Sequence, residues 1–399
     1  MPHARQHELA MLLTLMLVMF STIADFMIMM PLASYLMAEM QISTAHFGLL
    51  VSAYSLAAGV AALLASSRAD HFDRRHALLF CYGGLTLATL VCGLSVGFYS
   101  LLLARMLAGI FGGVIGSICL AIVGDVVAVE RRGRAMSWVM LGFSLAAVAG
   151  VPLGLWLAAH YGWRVPFLVL TGICAIIMLG IWRFIPPVAA HLQDLNREAG
   201  WLDNYRELLS NANHWWAVGL TAMLTVSGFL VIPFIAPALI ANVGISPHDL
   251  MYVYLVGGAA TLFSRPTIGR LIDRHRPARI LAILIVLSFI PIVLITQSLP
   301  VSLGWHLLIA ALFFMFVSGR FIPSMAMVTG ATRPHLRGRL MAFNSAMQNL
   351  ASGAASLLAG MILTQEPDGY LSHFGWVGLL ACMAGILSIW ISHRVNAIA

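Results

Sequence analysis

Apolar residues run through this chain in long blocks, and within a block polar positions do not alternate with apolar ones. Windows of membrane-spanning length fall at about residues 10–36, 45–66, 77–97, 100–124, 136–159, 165–185, 214–240, 250–271, 279–298, 303–328, 341–363 and 374–393. A helix needs about 20 residues to cross a bilayer, whereas a bilayer strand needs about 9–11 with alternating polarity. The pattern therefore predicts an all-α polytopic membrane protein with twelve transmembrane helices. The first apolar run carries no small-residue cleavage signature and continues past the length of a signal peptide, so it is expected to be a retained span. The longest polar interruption, at about 186–213, divides the chain into two six-helix bundles, 1–185 and 214–399. Within it, Leu192, Leu195, Trp201, Leu202, Tyr205, Leu208 and Leu209 are spaced to form the apolar stripe of a short interfacial helix.

Composition narrows the function classes. The chain is 61% hydrophobic and 9% charged, against roughly 25% charged in a soluble protein. Water-soluble domains and disorder are both excluded. All 22 basic residues are arginine, and the formal net charge is +7. The arginines cluster in alternate short loops: Arg68, Arg74 and Arg75; Arg131, Arg132 and Arg134; Arg270, Arg274, Arg276 and Arg279; Arg333, Arg337 and Arg339. Arginine-rich short loops face the cytoplasm, which places both termini inside and leaves no nucleic-acid role to explain. Without a lysine there is no P-loop, so this chain does not drive transport with ATP. The five cysteines form no CxxC pair and the 14 histidines are scattered, so no disulfide framework, metal site or cofactor is expected. No catalytic motif appears, and the chain is not expected to be an enzyme.

The two halves repeat. Asp70 and Asp273 head similar arginine-rich segments 203 residues apart, and Gly133 and Gly338 stand in matching Arg-Gly-Arg segments 205 residues apart. Two nearly equal offsets argue for an internal duplication, and paired six-helix repeats are a transporter layout.

Four motifs carry a resemblance over nearly the whole chain. They are Ser66-Ser-Arg68-Ala-Asp70-His71-Phe-Asp73-Arg74-Arg75, with its second copy Gly269-Arg-Leu-Ile-Asp273-Arg274; Arg105 within Arg105-Met-Leu-Ala-Gly109-Ile-Phe-Gly112-Gly113; Gly142 with Gly150-Val-Pro152-Leu-Gly154; and Gly162-Trp163-Arg164-Val-Pro-Phe167. In these the chain resembles the major facilitator superfamily, and within it the twelve-helix drug:proton antiporter and sugar-efflux branch. The first copy departs from the family signature by carrying Ser66 and Asp73 where glycine is usual. The resemblance implies a multi-pass protein of the bacterial inner membrane that works as a monomer. It implies proton coupling through Asp25 and Arg105, gating at the cytoplasmic helix ends by Asp70, Arg74, Asp125, Arg265 and Asp273, and an antiporter motif at Gly142, Gly150, Pro152 and Gly154.

Charges inside the spans are functional candidates by default, because each is costly in hydrocarbon. At 1.5 Å rise per residue, Asp25 lies roughly 22 Å along the first span, near the midplane. It is a candidate to carry the proton, to bind a cationic solute, or to pair permanently with an arginine. Arg105 is the single charge between Arg75 and Asp125. Arg320 is a separate feature, a candidate to hold an anionic group of a solute, alone or together with Asp25. Tyr54, Phe229 and Phe234 are candidate aromatic contacts, and Asn344 and Gln348, four apart on one helix face, are candidate polar contacts. The expected function is proton-coupled export of a small organic solute by alternating access, with the solute, protons and the lipid bilayer as partners. The alternatives are proton-coupled uptake of a metabolite or organic anion and a nontransporting membrane sensor or scaffold.

Overall fold

The computed structural model describes residues 2–65, 72–188, 208–298, 302–333 and 336–398. The order is α1 (Pro2–Ile28), α2 (Ala33–Met40), α3 (Thr44–Ala65), α4 (Arg74–Leu94), α5 (Phe98–Val126), α6 (Val129–Leu145), α7 (Val151–Tyr161), α8 (Val165–Phe184), α9 (Ala212–Phe229), α10 (Ile235–Ala241), α11 (Pro247–Arg274), α12 (Pro277–Thr296), α13 (Leu303–Gly319), α14 (Phe321–Gly330), α15 (Arg337–Ile362) and α16 (Phe374–Ser392). Among the described residues, ten helical segments are long and apolar enough to cross a membrane. The long helices α11 and α15 fall outside that set. Their length suffices, but α11 carries Asp249, Arg265, Arg270, Asp273 and Arg274, and α15 carries the polar Asn344, Gln348 and Asn349 within its apolar stretch.

Three expected spans are broken, each beside a proline. The first stops at Ile28 and resumes at Ala33, with Pro31 in the gap. The seventh passes through a 3₁₀ turn at Ile232–Phe234 that contains Pro233. Pro31 and Pro233 stand 202 residues apart, close to the offset of the repeated motifs. The tenth breaks between Gly319 and Phe321, where Pro323 cannot donate to the Gly319 carbonyl. The fifth is continuous but contains a π-helical turn, Ala146–Gly150, just ahead of Pro152. Such insertions are frequent at functional sites. A two-strand hairpin, Thr364–Gln365 with Leu371–Ser372, was not expected, although Pro367-Asp368-Gly369 is a turn signal and Gly369 has φ +88°. Of the expected interfacial helix, residues 192–205 lie outside the described residues; Leu208 is buried and Leu209 exposed.

The polar ends are built by capping. Ser246 opens α11, its hydroxyl accepting from the Asp249 amide at 3.1 Å ahead of Pro247. Asp73 opens α4 by accepting from the Arg75 and His76 amides at 2.9 and 3.1 Å. This explains the departure from the family signature at Asp73: its carboxylate satisfies donors that glycine would leave to water. Partial burial on its own would raise the Asp73 carboxyl, but the His76 and Arg75 amides outweigh it and hold it below its ordinary value. A lowered folded value means the stabilisation is full above the unfolded carboxylate range and is lost as pH falls through the folded one. Asp73→Ala is expected to cost about 1 kcal/mol near neutrality. Thermal unfolding in detergent at pH 7 and pH 3 checks this: the gap between variant and parent should close at the acid pH.

Packing is uneven between the two faces. On the face opposite the arginine-rich loops, one apolar core joins Ile28–Leu36, Phe47, Leu50, Val151 and Leu155 to Leu230–Leu239, Leu250, Tyr254, Ala355, Ala359 and Phe374. On the arginine-rich side the buried apolar clusters draw either on residues 11–188 or on residues 208–391. There the contact between the two stretches runs through α3 against α15 and through Arg265 of α11, which donates to Ser144 Oγ at 3.1 Å and lies 4.9 Å over the Phe143 ring. α3 and α15 approach closely because small residues face each other. A Cβ added at Gly48 would stand 2.8 Å from the Ser356 carbonyl oxygen. At the far end of this pair Thr44 Oγ1 donates to the Leu363 carbonyl at 2.7 Å.

Candidate functional site

Asp25 occupies the last turn of α1, ahead of the Pro31 break, and presents both its carboxylate and its backbone carbonyl to α5. Arg105, about two turns into α5, meets both groups. Its Nη1 donates to Asp25 Oδ2 at 2.9 Å and to the Asp25 carbonyl at 3.2 Å. Thr89 of α4 donates to Asp25 Oδ1 at 2.9 Å. The pair is withdrawn from solvent, with Asp25 1% exposed and Arg105 fully buried. The Tyr54 ring of α3 lies 4.5 Å from the guanidinium carbon. α5 fits against α3 here because Gly109 presents no side chain; a Cβ would fall 2.2 Å from the Tyr54 carbonyl oxygen.

A guanidinium has five donor hydrogens. Only Nη1 of Arg105 is used, and Nε and Nη2 find no hydrogen-bond partner among the described residues. A buried ion pair is stable only while both members are present, since removing one leaves an uncompensated charge. The carboxylate can lose its charge by taking a proton; the guanidinium cannot. The arrangement is thus able to switch, since a proton taken up at Asp25 ends the ion pair and frees Arg105.

An aromatic ladder leads away from the pair. Phe26 lies 5.1 Å from Tyr54 and 5.9 Å from Phe229, ring centre to ring centre, bridging α1 and α3 to the end of α9. Tyr54 and Phe229 are therefore brought together, through a residue that sequence reasoning passed over. Phe26 follows Asp25 directly, which was the available signal; Thr89 offered none.

The other candidates are dispersed. Phe234 is fully buried in the shared apolar core, edge-on to Phe47 at 5.8 Å, and so presents no surface to a solute here. Asn344 is fully buried, with its carbonyl occupied by the Thr221 hydroxyl. Gln348, one turn further, is half-buried, and its amide nitrogen has no partner among the described residues. Asp25 and Arg320 have separate partners and do not pair with each other. Arg320 sits fully buried at the α13–α14 break and donates to Ser288 Oγ at 3.3 Å and to the Leu224 carbonyl at 3.4 Å. These bonds brace α9 and α12 against the break.

Of the gating candidates, Asp70 lies outside the described residues. Arg74 and Asp125 form an ion pair at 2.5 Å between the adjoining ends of α4 and α5. Arg265 makes the contact with Ser144 and Phe143 described above, and Asp273 is exposed at the end of α11. The motif glycines share one role. Added Cβ atoms at Gly142, Gly150 and Gly154 would meet Met16, Ala24 and Ile28 respectively, all on α1. The π turn and Pro152 lie in this stretch, so the helix bearing Asp25 rests on the most irregular part of the fifth span.

Comparison with known proteins agrees with this architecture. The chain is 24% identical over 354 residues to a probable sugar efflux transporter of Helicobacter acinonychis, covering 88% of each chain. It is 28% identical over 240 residues to a chloramphenicol efflux pump of Mycobacterium tuberculosis, covering 59% of this chain and 56% of that one. Among solved structures, the nucleoside transporter NupG superposes with a TM-score of 0.75 at 14% identity, over 98% of this chain and 99% of that one. A D-xylose-proton symporter superposes with a TM-score of 0.73 at 16% identity, over 97% of each. These two establish the fold. The Major Facilitator Superfamily description matches residues 15–232 and 219–396, and the chain belongs to that superfamily, as a polytopic secondary transporter of small organic solutes.

Proposed function

We propose that the protein exports a small organic solute in exchange for protons, by alternating access between two six-helix halves, 1–185 and 214–399, joined by 186–213. In this reading the helices make twelve spans, the chain acts as a monomer in the bacterial inner membrane, and the arginine-rich face with both termini is cytoplasmic. The observation that carries the proposal is the buried Asp25–Arg105 pair at a broken helix, with two guanidinium nitrogens uncommitted. A proton arriving at Asp25 removes the reason for Arg105 to stay, and a solute held only while the two are paired is released as the proton binds, so that proton and solute exclude each other as exchange requires. Tyr54, Phe26, Phe229 and Gln348 are the proposed solute contacts. Arg265 is the proposed cytoplasmic gate contact, and Arg74 with Asp125 stiffens the α4–α5 end. The names of the efflux relatives support export.

Reconstitution into liposomes containing a pH-sensitive dye tests this. An outward solute gradient is expected to drive proton counterflow in the parent protein and none in Asp25→Asn. Co-directional movement of proton and solute would replace export with uptake, and solute flux without proton movement would remove the coupling.

A further inference from the structure

The fold brings together two histidines that lie 88 positions apart in the sequence. His160 sits in the last turn of α7 and His248 in the first turn of α11, at the same end of the seam between the two halves. Their ring centres are 5.2 Å apart with planes at 77°, and both side chains are exposed. His160 Nδ1 lies 2.8 Å from the Trp156 backbone carbonyl. A carbonyl only accepts, so Nδ1 carries the hydrogen and Nε2 keeps its lone pair. One nitrogen held by a carbonyl while the other stays free is the orientation found in metal-ligating histidines. Imidazole nitrogens lie ~2.0–2.1 Å from zinc, which puts two rings sharing a tetrahedral ion about 5 Å apart between centres. Among the described residues no group of three or more His, Cys, Asp or Glu gathers anywhere, so water would complete the shell.

We propose that His160 and His248 form a bridging site for an imidazole-preferring divalent ion, Zn²⁺ or Ni²⁺, and that the bound ion holds this face of the seam closed. The ligands belong to different halves, so an ion that needs both binds only the arrangement in which they meet and stabilises it over the other. The neighbourhood is already packed in this arrangement. Val151, Leu155 and Ala158 share one apolar core with Leu250, Val253 and Tyr254, and a Cβ at Gly258 would stand 2.8 Å from the Ala147 carbonyl oxygen. The consequence for transport, an ion-dependent block from the outer side, rests on the reading of this face as the outer gate; the site itself does not. The competing account is an aromatic interfacial belt, in which Trp156, Tyr161 and the two imidazoles anchor the helix ends and bind no ion.

Calorimetric titration of the full chain in detergent with Zn²⁺, and separately Ni²⁺, distinguishes them. We expect one ion per chain, an affinity at least tenfold lower in each of His160→Ala and His248→Ala, and no change in His393→Ala, an exposed histidine at the end of α16. Hydrogen exchange around Leu155 and Tyr254 should slow with Zn²⁺ in the parent and in neither seam variant. Equal affinity in the parent and the seam variants, or loss in only one of them, overturns the bridge. Binding without slowed exchange overturns the closure. Binding and slowed exchange in a protein that moves no solute would uphold this inference and remove the transport reading alone.

Discussion

Arg105→Gln will destabilise the protein by about 3–5 kcal/mol and abolish proton-coupled flux. The loss of stability follows from leaving the Asp25 carboxylate buried at 1% exposure with only Thr89 as a side-chain donor; breaking a buried pair from one side costs that much. Removing both charges behaves differently. The Asp25→Asn/Arg105→Gln double variant leaves no uncompensated charge, and residues in direct contact are not additive. Its thermal stability in detergent should recover most of the loss, while proton counterflow stays absent. Flux assays and unfolding measured on the same preparations separate the two effects. Recovery of stability together with coupled flux would show that the pair is only a structural tie.

Gly48→Leu will shift the protein away from the arrangement described here, in which the face opposite the arginine-rich loops is closed. A Cβ at Gly48 meets the Ser356 carbonyl oxygen at 2.8 Å and the Gly360 Cα at 3.1 Å. Both are backbone atoms and neither can rotate aside. Overpacking of this kind costs about 1–3 kcal/mol, which corresponds to a factor of roughly 5–150 in the balance of two states. The strain exists only while α3 and α15 touch at this end, so a state open on this face escapes it. Hydrogen exchange of the Phe47–Val51 and Ala355–Ala359 segments should accelerate accordingly. Gly172→Leu serves as the control, since a Cβ there meets nothing within 4 Å. Unchanged exchange in Gly48→Leu would mean that the two helices do not part at this end.

The large expected effects sit where the sequence is locally unusual, and this shows how far it could be read. A carboxylate at position 25 and an arginine at position 105, each alone in a long apolar run, are conspicuous without coordinates. That each is the other's partner is not, because 80 positions separate them and Arg320 is another arginine within an apolar run. The glycines at 142, 150 and 154 were legible as a motif, but nothing in their spacing says that they seat the helix of Asp25. Phe234 and Phe229 looked alike, five positions apart in one apolar stretch. The 3₁₀ turn at Ile232–Phe234 separates them, sending one into the sealed core and leaving the other on the ladder to Tyr54.

By itself the sequence determined the class of the molecule: helices that cross a membrane, their approximate limits, and the superfamily. The helices and their limits follow from composition and from local backbone demands, since a bilayer admits no spanning segment that leaves its peptide groups unpaired, whereas the superfamily follows from the four motifs that resemble it. Only the tertiary structure decided which charges meet, which polar groups are already consumed, and which face of the seam is shut. These are properties of contacts between helices distant in the chain. In hydrocarbon such contacts are chosen by close packing of small residues and by the high cost of an unpaired charge, neither of which leaves a periodic trace in sequence.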